Sequence, residues 1–284
     1  MKIGIQGQIG SYHEIVTNKL FNQADIIFTN TFSQVFDDLI SGKSDKAVVA
    51  IANNRYGFIP EAYSEIIDHS DQIYLTDEYY LPVKHQLIVN HGTTIKDIKN
   101  VISQSAAIGQ CHKFLEKYLP HVEIIEYTDT AGSAKLIADN KSRDSAVIAS
   151  QRASELYDLE IIHKDIQDDS DNITRFVVIE KKTKHIWPTD ADKTTAILQT
   201  GQKPGSLADI LQIFKQMNIN IETLHSSFIP NTGFHMQFFI EFDMGARHQD
   251  FEIFRKNINK NLGQLNVIGS YKAKHLTGKL NNKE

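Results

Sequence analysis

The stretch FHMQFFIEFD, residues 234–243, places Met236, Phe238, Ile240 and Phe242 on one side and His235, Gln237 and Glu241 on the other. A period of two is the mark of a β-strand with two unlike faces. Upstream, INIETLHSSFI (219–229) reads as a second strand and TTAILQT (194–200) as a third. Between them SLADILQIFKQM (206–217) sets Leu207, Ile210, Leu211, Phe214 and Met217 on one helical stripe. Downstream, HQDFEIFRKNINKN (248–261) reads as a helix and NVIGSY (266–271) as a final strand. The resulting order, βαββαβ, is the ferredoxin-like arrangement, and it occupies residues 194–273. Before it, KKTKHIWPTDADK (181–193) is charged, contains Pro188 and has no periodicity, so it reads as a linker. Residues 274–284 read as a tail.

The first 180 residues follow another rhythm. KIGIQG reads as a strand and HEIVTNKLF as a helix. SQVFDDLISG reads as a second helix, with Val35, Phe36, Leu39 and Ile40 on one face and Gly42 ending the run. KAVVAI, QLIVN, IIEYT and SAVIAS are strand-like, while AAIGQCHKFLEKYL and AGSAKLIADN are helix-like. Strands alternating with helices predict an α/β fold with a largely parallel sheet covered on both faces. Ligands of such sheets sit at the carboxyl ends of the strands.

Bulk properties narrow the function. A chain of 284 residues with 41% hydrophobic and 23% charged residues has a globular composition. A formal charge of −5 carries no basic excess for nucleic acid. The single Cys111 excludes an internal disulfide and fits a reducing compartment. The N-terminus lacks a signal-peptide core, and no apolar run approaches the roughly 20 residues needed to span a bilayer. The expectation is a soluble, cytoplasmic protein with no nucleic-acid or membrane partner. GQIGSYH is not a dinucleotide fingerprint, no phosphate loop is present, and the 12 histidines lack metal spacing. No metal and no cofactor are expected. Cys111, within a helical pattern, reads as a small buried residue.

Four neutral, hydrogen-bonding loops punctuate the strand ends: Gly7 to Tyr12 with Ser11, Asn53 with Asn54, Thr128 to Thr130, and Thr174 with Arg175. Each alone is most simply a turn. Neutral donors with one arginine suit a small anionic, oxygen-rich ligand.

The ordered series GQIGSY, VVAIANNRYG, SQSAAIGQC, TDTAGSAKLIA, AVIASQRASELYDLEII, IQDDSDNITRF and KPGSLADIL resembles prephenate dehydratase with a C-terminal ACT domain. The resemblance covers nearly the whole chain. It implies a two-lobed, periplasmic-binding-like (type II) catalytic domain over residues 1–180, its second lobe at about 80–165, with substrate between the lobes. The chain would cross between lobes near YYLPVKH and IQDDSDNITRF. It implies decarboxylating dehydration of prephenate to phenylpyruvate in phenylalanine biosynthesis, with Thr174 catalytic. Ser11, Asn53, Asn54, Thr130 and Arg175 would bind substrate, with Arg175 either pairing a substrate carboxylate or bracing the lobe crossing. For the ACT domain it implies a homodimer or homotetramer and an amino-acid effector such as phenylalanine. The effector's loop matches Gly205, Ser206, Leu207 and Ala208, and its partner motif falls at His225 and Ser226.

Departures from the family pattern are local. Ala52 and Tyr56 stand where the family carries glutamates. The family's GT-F/Y-S/T-H loop reads Gly10, Ser11, Tyr12, His13 and Glu14, and its HPQA reads Gln104, Ser105, Ala106 and Ala107. Asp129 replaces a serine, and the ESRP motif has become His225, Ser226, Ser227 and Phe228. These changes leave two other readings: a silent, ligand-binding sensor, or a decarboxylase with an altered product. Asn218 reads as a turn residue or as one near the ACT interface.

Overall fold

The computed structural model describes residues 1–183, 187–229 and 232–274. It divides into two compact units, Met1–Ala62 with Tyr79–Phe176, and Tyr63–Glu78 with the described residues from Val177 onward.

In the first unit, β1 (Lys2–Gln6) lies between β2 (Asp25–Thr29) and β3 (Lys46–Asn53), parallel to both. Helix α1 (Tyr12–Leu20) starts where Ser11 Oγ accepts the Glu14 N–H, and α2 (Phe32–Ile40) where Thr31 Oγ1 accepts the Gln34 N–H. Such caps satisfy backbone donors that the first helical turn leaves free. Val35, Phe36 and Leu39 of α2 are buried, as are Ile3, Ile5 and Val48 of the strands. Strand β4 (Gly57–Phe58) folds back on β3, pairing Ala52 with Phe58 and Asn53 with Gly57. The chain then enters α3 (Pro60–Asp68) and β5 (Ile73–Pro82).

A second sheet of this unit holds β6 (Gln86–Val89), β7 (Asn100–Ser103), β8 (Glu123–Glu126), β9 (Ser145–Ala149) and β10 (Glu160–His163), in the order β10-β6-β9-β7-β8. Strand β7 is parallel to β8 and β9, whereas β6 runs antiparallel to β9 and to β10. Both faces are covered. Leu87, Val89, Val101, Ala146 and Ile148 join one core cluster, and Ile88, Ile102, Val147 and Ala149 the other. Burial on alternate faces is why these strands read as unbroken apolar runs. Around the sheet lie α4 (Ser105–Gln110), α5 (His112–Tyr118), α6 (Thr130–Asn140) and α7 (Gln151–Leu156). The single helix expected over AAIGQCHKFLEKYL is thus two, broken at Cys111. Asp168 intervenes there: its N–H donates to Gln110 O, and its carboxylate accepts the Lys113 N–H at 3.0 Å. The two expected crossings run side by side, with Val83 N–H donating to Asn172 O at 2.8 Å and Ile166 N–H to His85 O at 2.9 Å. The second of them leads into β11 (Ile173–Lys181).

The second unit contains β12 (Lys193–Thr200), α8 (Ser206–Gln216), β13 (Ile221–Phe228), β14 (Met236–Phe242), α9 (Phe251–Asn261) and β15 (Gly263–Tyr271), the βαββαβ order expected. Strand β12 is central and antiparallel to β14 and β15; β13 pairs with β14. Phe214, Phe242 and Phe254 meet edge-on between helices and sheet, with ring centroids 4.9–5.4 Å apart. The other face is covered as well. Tyr63 packs on Phe239 at 4.7 Å, and Leu75 of β5 pairs with Gly269 of β15. Gln237 and Glu241, the polar side of the opening stretch, are therefore buried, and Glu241 accepts from Thr195 Oγ1 at 3.0 Å.

The expected linker is shorter than 181–193. Lys181 closes β11, and Lys193 opens β12 with its side chain buried and its ammonium 3.1 Å from Glu78 and 2.6 Å from Glu222. Linker residues 184–186 and tail residues 275–284 lie outside the described residues.

Candidate active site

A cavity of about 440 Å³ opens within the first unit. Its walls come from the end of β1 (Gln6, Gly7), the start of α1 (Ser11, Tyr12, His13), the end of β3 (Asn53), α4 with its preceding residue (Gln104, Gln110), the start of α6 (Asp129, Thr130), and Thr174 with Phe176 of β11. Most of these groups stand where strands end or helices begin, so backbone geometry aims them at one space.

Thr174 is held by its neighbour across the cavity wall. Asn53 Nδ2 donates to Thr174 Oγ1 at 3.0 Å and to Asn172 Oδ1 at 2.7 Å. Asn53 is itself fixed, since its Oδ1 accepts the Arg55 and Tyr56 N–H groups at 2.9 and 3.1 Å. Among the described residues the threonine hydroxyl accepts once and its own proton has no acceptor, so it can donate. A chain of polar contacts continues outward. Asn172 Nδ2 donates to Gln110 Oε1 at 2.7 Å, His85 Nε2 lies 2.5 Å from the same oxygen, and Tyr12 OH lies 3.1 Å from His85 Nδ1. The amide oxygen can only accept, so His85 carries its proton on Nε2.

Burial dominates the ionisation of the walls. His13 and His85 are each lowered to about 4, His85 against an opposing contribution from its bond to Gln110. Both rings are neutral at neutral pH. Burial pushes the Tyr12 phenol upward, helped by Cys111 and Asp165. Burial likewise raises the thiol of Cys111, which faces the core as expected and is unsuited to nucleophilic work. Among the described residues no lysine or arginine lines the cavity. The amino-terminal ends of α1 and α6 open beside it, their partial positive charge offset by Glu14 in the first turn of α1 and by Asp129 at the start of α6. Asp129 caps α6 through the Gly132 N–H at 2.6 Å and accepts from Gln8 Nε2 at 3.0 Å.

Ser11, Asn53, Thr130 and Thr174 come together on the walls; Asn54 and Arg175 do not. Asn54 is occupied in joining β3 to β11: its Nδ2 donates to Asp171 O at 2.5 Å, and its Oδ1 accepts the Ile173 N–H at 2.9 Å. Arg175 lies between Thr174 and Phe176, so strand alternation turns it to the other face. There it is buried, with its guanidinium 6.0 Å from the Tyr80 ring. His13, His85, Gln110 and Asn172 join the site beyond the residues expected there. The Ser/Thr-to-His change at position 13 and the place of Asn172 in NITRF were available signals; His85 and Gln110 are ordinary polar residues until folding brings them together.

The prephenate dehydratase family model matches residues 3–184. The chain belongs to the prephenate dehydratase family. That family's chemistry is dehydration, a lyase reaction in aromatic amino acid biosynthesis. Among similar proteins, arogenate dehydratase/prephenate dehydratase 2 of Arabidopsis thaliana is 29% identical over 95% of this chain and 72% of its own. The structure of prephenate dehydratase from Arthrobacter aurescens in complex with L-Phe superposes with a TM-score of 0.85 at 23% identity, over 96% of this chain and 90% of that one. A structure described as GqqA, a novel type of quorum quenching acylase, gives 0.86 at 21% identity, over 96% and 98%. At such identities the structures establish the shared fold.

In this family member the C-terminal candidates fall into two groups. Gly205, at φ 88°, caps α8, and Ser206 Oγ donates to Lys203 O at 2.8 Å. Leu207 packs on the helix-side core, while Ala208 is exposed. Ser226, paired with Phe238, sits on the helix-bearing face of the sheet. His225, paired with Phe239, turns to the opposite face against Tyr63 at 5.2 Å. Within the chain His225 is therefore not joined to Gly205 and the start of α8. Asn218, at φ 53°, is the turn residue that ends α8.

Among the described residues no helix is long and apolar enough to cross a membrane, and no group of three or more His, Cys, Asp or Glu is placed to hold a metal ion.

Proposed function

We propose that this protein converts prephenate to phenylpyruvate, carbon dioxide and water. The observation that carries the reading is the Thr174 hydroxyl, anchored by Asn53 on the cavity wall with its proton uncommitted. Loss of the ring carboxylate as carbon dioxide sends its bonding pair into the ring, which becomes aromatic as the ring C–O bond breaks. The departing oxygen takes up a proton and leaves as water. A neutral donor held in a desolvated cavity stabilises the charge growing on that oxygen. Ser11 and Thr130, with the ends of α1 and α6, supply neutral donors for the carboxylates. Arg175 braces the second crossing from outside the cavity.

The second unit acts in this reading as the regulatory domain of a homo-oligomer, with the Gly205–Ala208 loop and Ser226 taking an amino acid such as phenylalanine. Support comes from the βαββαβ order and from the L-Phe complex of the Arthrobacter protein.

Arogenate, which carries an amino group in place of the side-chain ketone, is a second candidate substrate. Among the described residues the cavity is lined by Asp129 and Glu61 and by no lysine or arginine, which supports a ligand with a positive group. Turnover measured separately on prephenate and arogenate decides between them. Thr174→Ala is expected to remove most turnover on the true substrate, by about 10²–10⁴-fold, while circular dichroism stays unchanged. Full turnover by a folded Thr174→Ala protein would defeat the reading.

A further inference from the structure

His13 forms part of the cavity wall beside Phe176, with ring centroids 5.2 Å apart and edge to face. Thr174 lies one pleat away on the same strand face, roughly 6–7 Å along the chain. The imidazole is held on one side only. Its Nε2 accepts the Ala50 N–H at 3.2 Å, so the ring proton of the neutral form resides on Nδ1. That Nδ1–H meets no acceptor among the described residues, yet it is not among the sealed, unpartnered polar atoms of the interior. A donor so placed, on a wall without lysine or arginine, is open to a ligand in the cavity.

We propose that His13 is a substrate-contacting residue, its Nδ1–H donating to a carboxylate of the bound substrate one pleat from the Thr174 hydroxyl. The inference rests on the dehydratase reading and adds to it. Ser11, Thr130 and Thr174 are hydroxyls able to accept as well as donate; a neutral imidazole in this tautomer can only donate through Nδ1. It therefore discriminates for an acceptor-only group such as a carboxylate. Anchored from α1 at the Ala50 position of β3, the ring is also oriented before any ligand arrives, which lowers the ordering cost of binding.

Two substitutions separate contact from structure. His13→Gln places an amide oxygen near the Nε2 position, keeping an acceptor for the Ala50 N–H while removing the Nδ1 donor. His13→Asn does the reverse, keeping a donor near Nδ1 and abandoning Ala50. Kinetics on prephenate and thermal unfolding are measured for both and for the wild type. Expected is a roughly tenfold to hundredfold fall in kcat/KM, carried mainly by KM, for His13→Gln with near-native stability. His13→Asn is expected to lose stability but keep the larger share of kcat/KM. Wild-type kcat/KM in His13→Gln overturns the proposal and leaves the dehydratase reading standing. If the wild type itself lacks turnover, that reading falls, and imidazole-nitrogen NMR during prephenate titration decides the contact. Movement of the Nδ1–H resonance on binding supports it; an unmoved resonance overturns it.

Discussion

Replacing Asn53 by aspartate tests how the cavity keeps a threonine proton available. The two side chains have the same shape, and aspartate retains an acceptor for the Arg55 and Tyr56 N–H groups, now 2.9 and 3.1 Å away. What changes is the other terminal atom. A donor 3.0 Å from Thr174 Oγ1 and 2.7 Å from Asn172 Oδ1 becomes an acceptor. The Thr174 hydroxyl turns to donate to the new carboxylate, and two oxygens face each other at Asn172 without a proton between them. The Asn172 mismatch costs about 1–3 kcal/mol of stability, the usual penalty for an unsatisfied buried polar group. On the proposed mechanism the redirected hydroxyl costs more in rate, about 10²–10⁴-fold in kcat, because the donor assigned to the departing oxygen is then engaged elsewhere. Asn53→Ala, which frees the hydroxyl without capturing its proton, should lose less. The assay follows phenylpyruvate release at saturating prephenate, with urea unfolding of each variant alongside. A folded Asn53→Asp protein with kcat within about threefold of wild type would refute the reasoning, since the proton would then be shown not to matter.

Two further outcomes follow from the buried charges. Lys193→Met leaves the fully buried Glu78 without the ammonium now 3.1 Å away, so urea unfolding should show a loss of about 3–5 kcal/mol. Adding Glu78→Gln to that variant should recover part of the loss, and no recovery would show that the charge was not its cause. The pH dependence runs in one direction. His13 and His85 fall from the ordinary 6.5 to about 4 on folding, so between those values the unfolded chain binds more protons. Their contribution is complete above about pH 6.5 and is lost as pH falls toward 4, about 2 kcal/mol per ring between pH 7 and pH 5. Unfolding free energies at the two pH values, with His13→Gln and His85→Gln for comparison, check the slope; a slope unchanged in both variants would assign it to other groups.

Periodicity made most of the fold readable because it reports directly on which faces are buried. The helix 206–217 and the strand 234–243 show their apolar sides at the spacing that geometry requires, and the structure places Ile210, Phe214, Ile240 and Phe242 in one core. Misreadings came where a neighbour distant in sequence overrides the local pattern. Asp168 captures backbone groups at Gln110 and Lys113, where a helical pattern that runs on through Cys111 is broken. Lys193 and Glu241 look like solvent-facing charges, but Glu78 and Thr195 give them buried partners from remote segments.

Candidate loops were visible in the chain because Gly, Ser, Thr and Asn mark strand ends and helix caps; hence Ser11, Asn53, Thr130 and Thr174. The amino-acid order determined the elements, their sequence and the family to which they belong. Which side each residue faces at the site was a tertiary matter. A one-residue step along β11 turns Thr174 inward and Arg175 outward, and the pairing of two crossings set that phase. Hydrogen-bond direction was decided there too, since His13 and His85 acquire their tautomers only from Ala50 and Gln110, residues 37 and 25 positions away. Local pattern carries shape because side-chain period follows from backbone geometry. Proton placement depends on contacts that exist only once distant segments meet.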